Sequence, residues 1–308
     1  MVRIQSFFDI FFYSIIVIFI LLYCIHSLKN LELTMEISNS LEKKLSNLIS
    51  FLRGKKVLVA FSGGVDSSLL AYISNRYAKE TLLITEQSIL YPDEEIDETI
   101  QFAKKYNIQH EIIKRNPLED NEFQCNPSNR CYLCKTGLYN DILEVKDSRN
   151  FDIILDGSNM DDLSDYRPGM QALKDLNIST PYIDFNINKN EIREISKYYD
   201  LDVQSKPSMA CFSSRIPYGQ EINEDKLTMI REAEKFIKTT FDIKQLRVRL
   251  HEGSLGRIEI LPVDFSKVLT EENLRIIREK LKKLGFTYIT VDIEGFRSGS
   301  MNEVLNLE

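Results

Sequence analysis

Apolar residues recur at helical spacing from Leu41 to Leu52, then close into the short unbroken run VLVAF at 57–61. Such a run, bounded by turn residues, predicts a buried strand. SGGVDSS follows, and a helical pattern continues through Tyr77. TLLIT (81–85) predicts a second strand, HEIIKR (110–115) a third and DIILDG (152–157) a fourth. Between them, DEEIDETIQFAKKY (93–106) predicts a helix whose acidic first turn suits the helix dipole. Residues 130–147 predict another helix, which carries two cysteines. Strand and helix alternating at this rhythm predict an α/β fold, a parallel sheet with helices on both faces.

After about Tyr218 the rhythm changes. INEDKLTMIREAEKFIKTT predicts a helix, and RVRLH and RIEIL predict two strands joined by a Gly-containing turn. TEENLRIIREKLKKLG predicts a helix ended by Gly285, and YITVDI a last strand. This order predicts a small α+β layer, with a boundary near IPYGQEI (216–222), where Pro217 and Gly219 interrupt regular structure. The expected units are 35–218 and 219–308, preceded by an apolar extension, 1–34.

That extension changes the picture of location. Ile10 to Leu28 carries no formal charge and approaches the roughly 17–25 residues of a spanning helix. No cleavage site of small residues follows, so it does not fit a secretory signal. Either it anchors a catalytic domain in the cytoplasm, or Met35 is the biological start of a cytoplasmic protein. The 308 residues are 43% hydrophobic and 28% charged, with a formal charge of −7. This balance argues against a broad nucleic-acid footprint. The five cysteines, Cys24, Cys125, Cys131, Cys134 and Cys211, are odd in number and point to a reducing compartment, with metal or catalytic roles for the clustered ones.

FSGGVDSS carries the first clear chemistry. Gly63 and Gly64 let backbone amides approach a ligand, the following helix offers oriented N–H groups, and Ser62, Ser67 and Ser68 add hydroxyls. Asp66 can hold magnesium. The set suits a pyrophosphate, and no Walker A pattern occurs anywhere in the chain. The loop resembles the PP-loop of the ATP pyrophosphatase superfamily (adenine nucleotide alpha hydrolase-like), whose members cleave ATP between the α and β phosphates.

Three further stretches narrow the reading. GSNMDDLSDYRPG (157–169) follows the fourth strand, where ligands bind in open α/β sheets. There Asp161, Asp162 and Asp165 offer magnesium ligands or a solvated acidic loop, and Arg167 offers a fork for phosphate or carboxylate. In KPSMACFSSRIPYG (206–219), Cys211 lies four positions before Arg215, whose charge would favour the thiolate; a buried, inert thiol is the alternative. In LRVRLHEGSLGRIEI (246–260), strand alternation puts Arg247 and Arg249 on one face, with Arg257 and Glu259 on the next strand. Two guanidiniums side by side need an anion, either a ligand or Glu252 or Glu259.

Together, G-S-N-x-D-D-x-x-D-Y-R-P-G, A-C-x-x-S-R-x-P-Y-G and R-V-R-x-H resemble the LarE family of ATP-dependent sulfur transferases in nickel-pincer cofactor synthesis. The resemblance runs from about Leu41 to Leu305, although a Gly is expected sooner after His251 than R-L-H-E-G provides. It implies adenylation of a carboxylate of pyridinium-3,5-biscarboxylate mononucleotide by ATP and magnesium, then replacement of AMP by sulfur. The implied ATP site is Ala60, Ser62, Gly63, Gly64, Asp66, Ser67, Ser68, Thr85, Gly157 and Asn159. Substrate contacts fall to Arg167, Ser214, Arg247, Arg249, Arg257 and Glu259, magnesium to Asp66, Asp161 and Asp162, and catalysis to Cys211, Asp66 and Arg215.

Some family members spend the motif cysteine as the sulfur source. Others, with an upstream Cys-x-x-Cys, bind a [4Fe–4S] cluster through three cysteines. Cys131, Cys134 and Cys211 match the second pattern, which leaves one iron without a protein ligand for a sulfide from a donor. Zinc with Cys125 as fourth ligand and a sacrificial Cys211 without any cluster are the alternatives. A cluster-dependent tRNA thiolase and a non-catalytic adenylate-binding module are the alternative functions. A homo-oligomer is expected.

Overall fold

The computed structural model describes residues 37–163, 168–205 and 210–304. Helix α1 (Asn39–Leu52) starts where Ser38 accepts the amide of Leu41, and it leads into β1 (Lys56–Ala60). Then follow α2 (Val65–Tyr77), β2 (Glu80–Gln87), α3 (Asp93–Lys105), β3 (Gln109–Lys114), α4 (Arg130–Ser148) and β4 (Ile153–Leu155). The sheet order is β3-β2-β1-β4, parallel throughout. The chain runs outward from β1 to β3 and returns to the other side of β1 with β4. The carboxyl ends of β1 and β4 therefore flank a topological switch point, where a crevice opens.

Strand alternation sorts the core. Val57 and Val59 of β1 and Leu83 of β2 join one cluster with Leu48, Leu69, Ile73 and Ile195. Leu58, Leu82 and Ile84 point the other way, to Tyr139, Ile142 and Leu173. The parallel sheet is thus apolar on both faces and covered by helices on each, as the runs of adjacent apolar residues predict. Each such buried aliphatic side chain is worth about 1.5–3 kcal/mol.

Beyond β4 lie α5 (Gly169–Asp175) and α6 (Lys189–Tyr198), neither of which the apolar pattern had predicted. The last part holds α7 (Glu224–Phe241), a β5 (Leu246–His251) to β6 (Leu255–Ile260) hairpin, α8 (Glu271–Lys283) and β7 (Tyr288–Val291). β5 and β6 are antiparallel, and β7 lies parallel to β6. Gly253, in the hairpin connection, and Gly285, just past α8, take φ +66° and +106°, backbone conformations that favour glycine.

The core of this layer draws in Leu90, Phe123, Phe212 and Ile216 from before the sequence boundary at 218. Among the described residues no helix is long and apolar enough to cross a membrane. The apolar stretch 10–28 lies outside them, as do Asp165 and Arg167.

Candidate active site

The loop after β1 is shaped by its own hydroxyls. Gly63 sits at φ +69°, and Gly64 caps α2 in an extended conformation. Ser67 Oγ donates to the carbonyl of Gly64 at 3.2 Å and lies 3.1 Å from Ser62 Oγ. The loop following β4 lies directly against α2: a Cβ on Gly157 would meet the backbone nitrogen of Ser67 at 3.1 Å. Any larger residue at 157 would press on the backbone of α2, so glycine lets the two loops meet without a shift.

Asp66 heads α2. Its carboxylate pairs with Lys189 Nζ, while its other oxygen accepts from Asn159 Nδ2 at 3.4 Å. Burial raises its pKa, against the opposing pull of Lys189. Asp161 and Asp162 have defined partners. Asp161 Oδ2 accepts the amide of Lys189 at 2.8 Å, and Asp162 Oδ2 accepts the amide of Asn159 at 2.9 Å. Thr85 Oγ1 donates to the carbonyl of Phe61 at 2.7 Å and so fixes the exit of β1.

A cavity of about 300 Å³ opens here. Ala60, Ser62, Asp66, Ser67, Thr85, Gly157 and Asp162 line it, together with Glu86, Tyr91, Cys134, Lys135, Tyr139 and Asp156. Ser68 is fully buried one turn along α2, and its hydroxyl has no hydrogen-bond partner among the described residues.

Asp156, Lys135 and Tyr139 did not emerge from the sequence. The Asp156 carboxylate accepts from Lys135 Nζ at 3.1 Å, from the Ser158 amide at 2.7 Å and from the Tyr139 hydroxyl. Burial pushes Asp156 up, but Lys135 and these hydrogen bonds outweigh it and hold the group at about 2. It stays ionised and aims the Lys135 ammonium along one wall of the cavity.

Cys131 is exposed, whereas Cys134 and Cys211 are half-buried against the second core. Burial, reinforced by Glu86, Cys211 and Cys131, holds the Cys134 thiol well above its ordinary range. The buried Tyr91 hydroxyl is raised by burial and by the charges of Cys211, Cys134, Glu86 and Cys131. The Cys-x-x-Cys pair and the distant Cys211 therefore gather around one tyrosine on the cavity wall. Among the described residues, no three His, Cys, Asp or Glu side chains stand in a ready-made metal-holding arrangement. Once deprotonated, three cysteine sulfurs near one tyrosine offer the soft donor type that an iron–sulfur cluster takes. Cys125 sits exposed just after a single helical turn, Asn121–Gln124.

Cys211 is anchored on two sides. The amide of Phe212 donates to the carbonyl of Leu90 at 2.8 Å. Arg215, fully buried, donates from Nη1 to the carbonyl of Cys211 at 2.8 Å and to Ser214 Oγ at 2.9 Å. Its Nε and Nη2 grip Glu234 at 2.9 and 3.2 Å. Arg215 thus positions the cysteine loop through its backbone. Ser214 hands its carbonyl to Arg249 Nη1 at 3.0 Å.

The arginine face predicted for the C-terminal strands is present: Arg247 stands opposite Glu259, and Arg249 opposite Arg257. Arg249 and Arg257 both pair with Glu259, at 2.7 and 3.2 Å, so the internal ion pairing anticipated for this face accounts for them. Glu252 is exposed in the hairpin connection. Arg247 stacks over Phe296 at 5.2 Å. Burial and the neighbouring Arg215 lower it to about 10, which leaves it cationic at neutral pH.

Two uncharacterized proteins match almost end to end. One, from Synechocystis sp., is 36% identical over 267 residues, 86% of this chain and 99% of its own length. The other, from Methanocaldococcus jannaschii, is 33% identical over 268 residues, 87% of this chain and 98% of its own. The chain belongs to the family of these proteins. The pyridinium-3,5-bisthiocarboxylic acid mononucleotide synthase of Lactiplantibacillus plantarum is a homologue, 29% identical over 269 residues, 86% of this chain and 96% of that enzyme. Its likeness supports the LarE resemblance drawn from the motifs. No protein-family model matches the chain.

Proposed function

We propose that the protein is an ATP-dependent sulfur transferase acting on a carboxylate of pyridinium-3,5-biscarboxylate mononucleotide. The supporting observation is a single cavity lined at once by the glycine-serine loop and by Cys134. A nucleotide bound there has its phosphates in the same cavity as the Cys134 thiol.

In this reading the amides of Ser62, Gly63 and Gly64 and the Ser67 hydroxyl hold the pyrophosphate. Asp66, with Asp161 and Asp162, holds magnesium, a hard cation that prefers oxygen ligands. The substrate carboxylate attacks the α-phosphorus and pyrophosphate leaves. Sulfur then attacks the acyl carbon and AMP leaves, giving the thiocarboxylate. Adenylation is needed because a carboxylate oxygen is a poor leaving group and AMP a good one. Arg247, whose guanidinium lies at the face toward Arg215 and the Cys211 loop, serves the substrate's phosphate or second carboxylate. Cys131, Cys134 and Cys211 hold a [4Fe–4S] cluster, which when bound supplies an iron free of protein ligands for the transferable sulfide.

A second reading draws on the burial that keeps the Cys134 thiol protonated. Cys211 then attacks the acyl-adenylate, AMP leaves, and loss of the Cys211 α-proton breaks its Cβ–S bond. The products are the thiocarboxylate and dehydroalanine.

Anaerobic purification with iron and acid-labile sulfide counts, paired with ATP–pyrophosphate exchange on the pyridinium substrate, decides between them. About four irons per chain, lost in Cys211→Ala, with exchange present, is the expected result. Exchange without iron selects the sacrificial cysteine, and absence of exchange overturns the adenylation chemistry in both readings.

A further inference from the structure

The Lys189–Asp66 ion pair lies at the mouth of the phosphate loop, with about a quarter of each side chain exposed (25% and 23%). The molecule brings this amine to the loop by several ties. Lys189 is the first residue of α6, whose start is fixed by a capping box between Asn188 and Glu191. Its amide is held by Asp161 at 2.8 Å. Just before it, Ile187 accepts the amide of Met160 at 3.3 Å and donates its own to Tyr182 at 2.7 Å. The Tyr182 hydroxyl donates back to the carbonyl of Asp66 at 3.1 Å. A partly exposed pair returns only modest net stability once the entropy of pinning a lysine is set against it. Stability alone does not account for so many ties, whereas a ligand that needs the amine does.

Any divalent cation that takes Asp66 must displace this ammonium. The backbone of Lys189 is fixed, but its four-carbon stem is flexible, so the charge can turn without moving the helix. We propose that Lys189 is an exchangeable counter-cation. It neutralises Asp66 in the nucleotide-free protein and turns to the pyrophosphate part of ATP when a divalent cation takes that carboxylate. The inference rests on the nucleotide reading of the loop and adds a residue to it.

Two binding constants must then move in opposite directions. In Lys189→Met the competitor for Asp66 is gone, so Mn²⁺ alone, followed by electron paramagnetic resonance of the free ion, binds about ten-fold more tightly. The same variant loses a charge-assisted contact to phosphate, so α,β-methylene-ATP with saturating Mg²⁺, followed by calorimetry, binds about ten-fold more weakly. Lys189→Arg keeps the charge and holds the analogue within about three-fold of the wild type. These measurements use the full chain, and Lys189→Gln carries the same two readouts if the methionine variant does not fold.

Unchanged constants, or both weakened together as by a merely structural defect, overturn the exchange and leave the nucleotide site standing. A wild-type protein that binds no ATP analogue overturns the nucleotide site and the exchange with it.

Discussion

Asp156 is an acid held in its charged form by neighbours that overcome burial, and this has a consequence for pH. Its folded pKa of about 2 lies below the ordinary 3.8. The ionised group therefore stabilises the fold fully above about pH 4, and that contribution is lost as pH falls toward 2. Asp156→Asn should cost about 2 kcal/mol at pH 7, read from urea unfolding midpoints, with a flatter stability profile than wild type below pH 4. Asp66 differs, because the role proposed for it is toward a ligand. Asp66→Ala should abolish pyrophosphate release while leaving the iron content of the anaerobic protein unchanged; retained release would remove Asp66 from the magnesium site. Asp66 was legible because its loop is contiguous in sequence. Asp156 was not, since its partner Lys135 lies 21 positions away on a helix whose other notable residues are cysteines. Periodicity and motif reading register neighbours along the chain, and a carboxylate-ammonium pair across a crevice leaves no such mark.

Elements with strong periodicity were legible for the same reason. All four parallel strands, the hairpin and the long helices lie where the apolar pattern predicts them. Helix α6 escaped because NKNEIREISKYY is dominated by polar residues and buries only Ile192, Ile195 and Ser196. Its signal was the cap, Asn188 followed three positions later by Glu191. Helix α4 shows how an element can be shaped for a crossing side chain. A Cβ on Gly137 would sit 2.1 Å from Arg115 Nη2. The bare backbone lets Arg115 lie across the helix to reach Glu86 at 3.1 Å and Asp141 at 2.7 Å. Gly137→Ala should push aside the flexible tip of Arg115 and loosen its hold on the buried Glu86, which outweighs the roughly 1 kcal/mol of helix propensity that alanine adds, for a net cost of about 1 kcal/mol. A fall in Tm of a few degrees is the expected reading. An unchanged Tm would mean that the guanidinium finds an equally good place elsewhere.

At the scale of the whole molecule, the cysteine loop is the seam. Phe212 follows Cys211 directly, and its buried ring belongs to one cluster with Leu90 and Phe123 from before the boundary at 218 and Ile230, Val248 and Ile258 from after it. The sequence boundary at 218 follows a real change of rhythm, but a core is defined by contacts, and these cross that boundary. Arg215 crosses it too, binding Cys211 to Glu234 of α7. Because one apolar cluster serves both parts, unfolding either exposes the other's core, and the two should melt as one unit. Phe212→Ala removes a buried ring from that cluster and should cost about 3–5 kcal/mol. The transition should then move down by roughly 6–20 °C while remaining single, followed in parallel by circular dichroism and tyrosine fluorescence. Two separated transitions in the wild-type protein would show that the seam is energetically weak. The thiol of Cys211 would then be held by the N-terminal part alone, through the Phe212–Leu90 hydrogen bond.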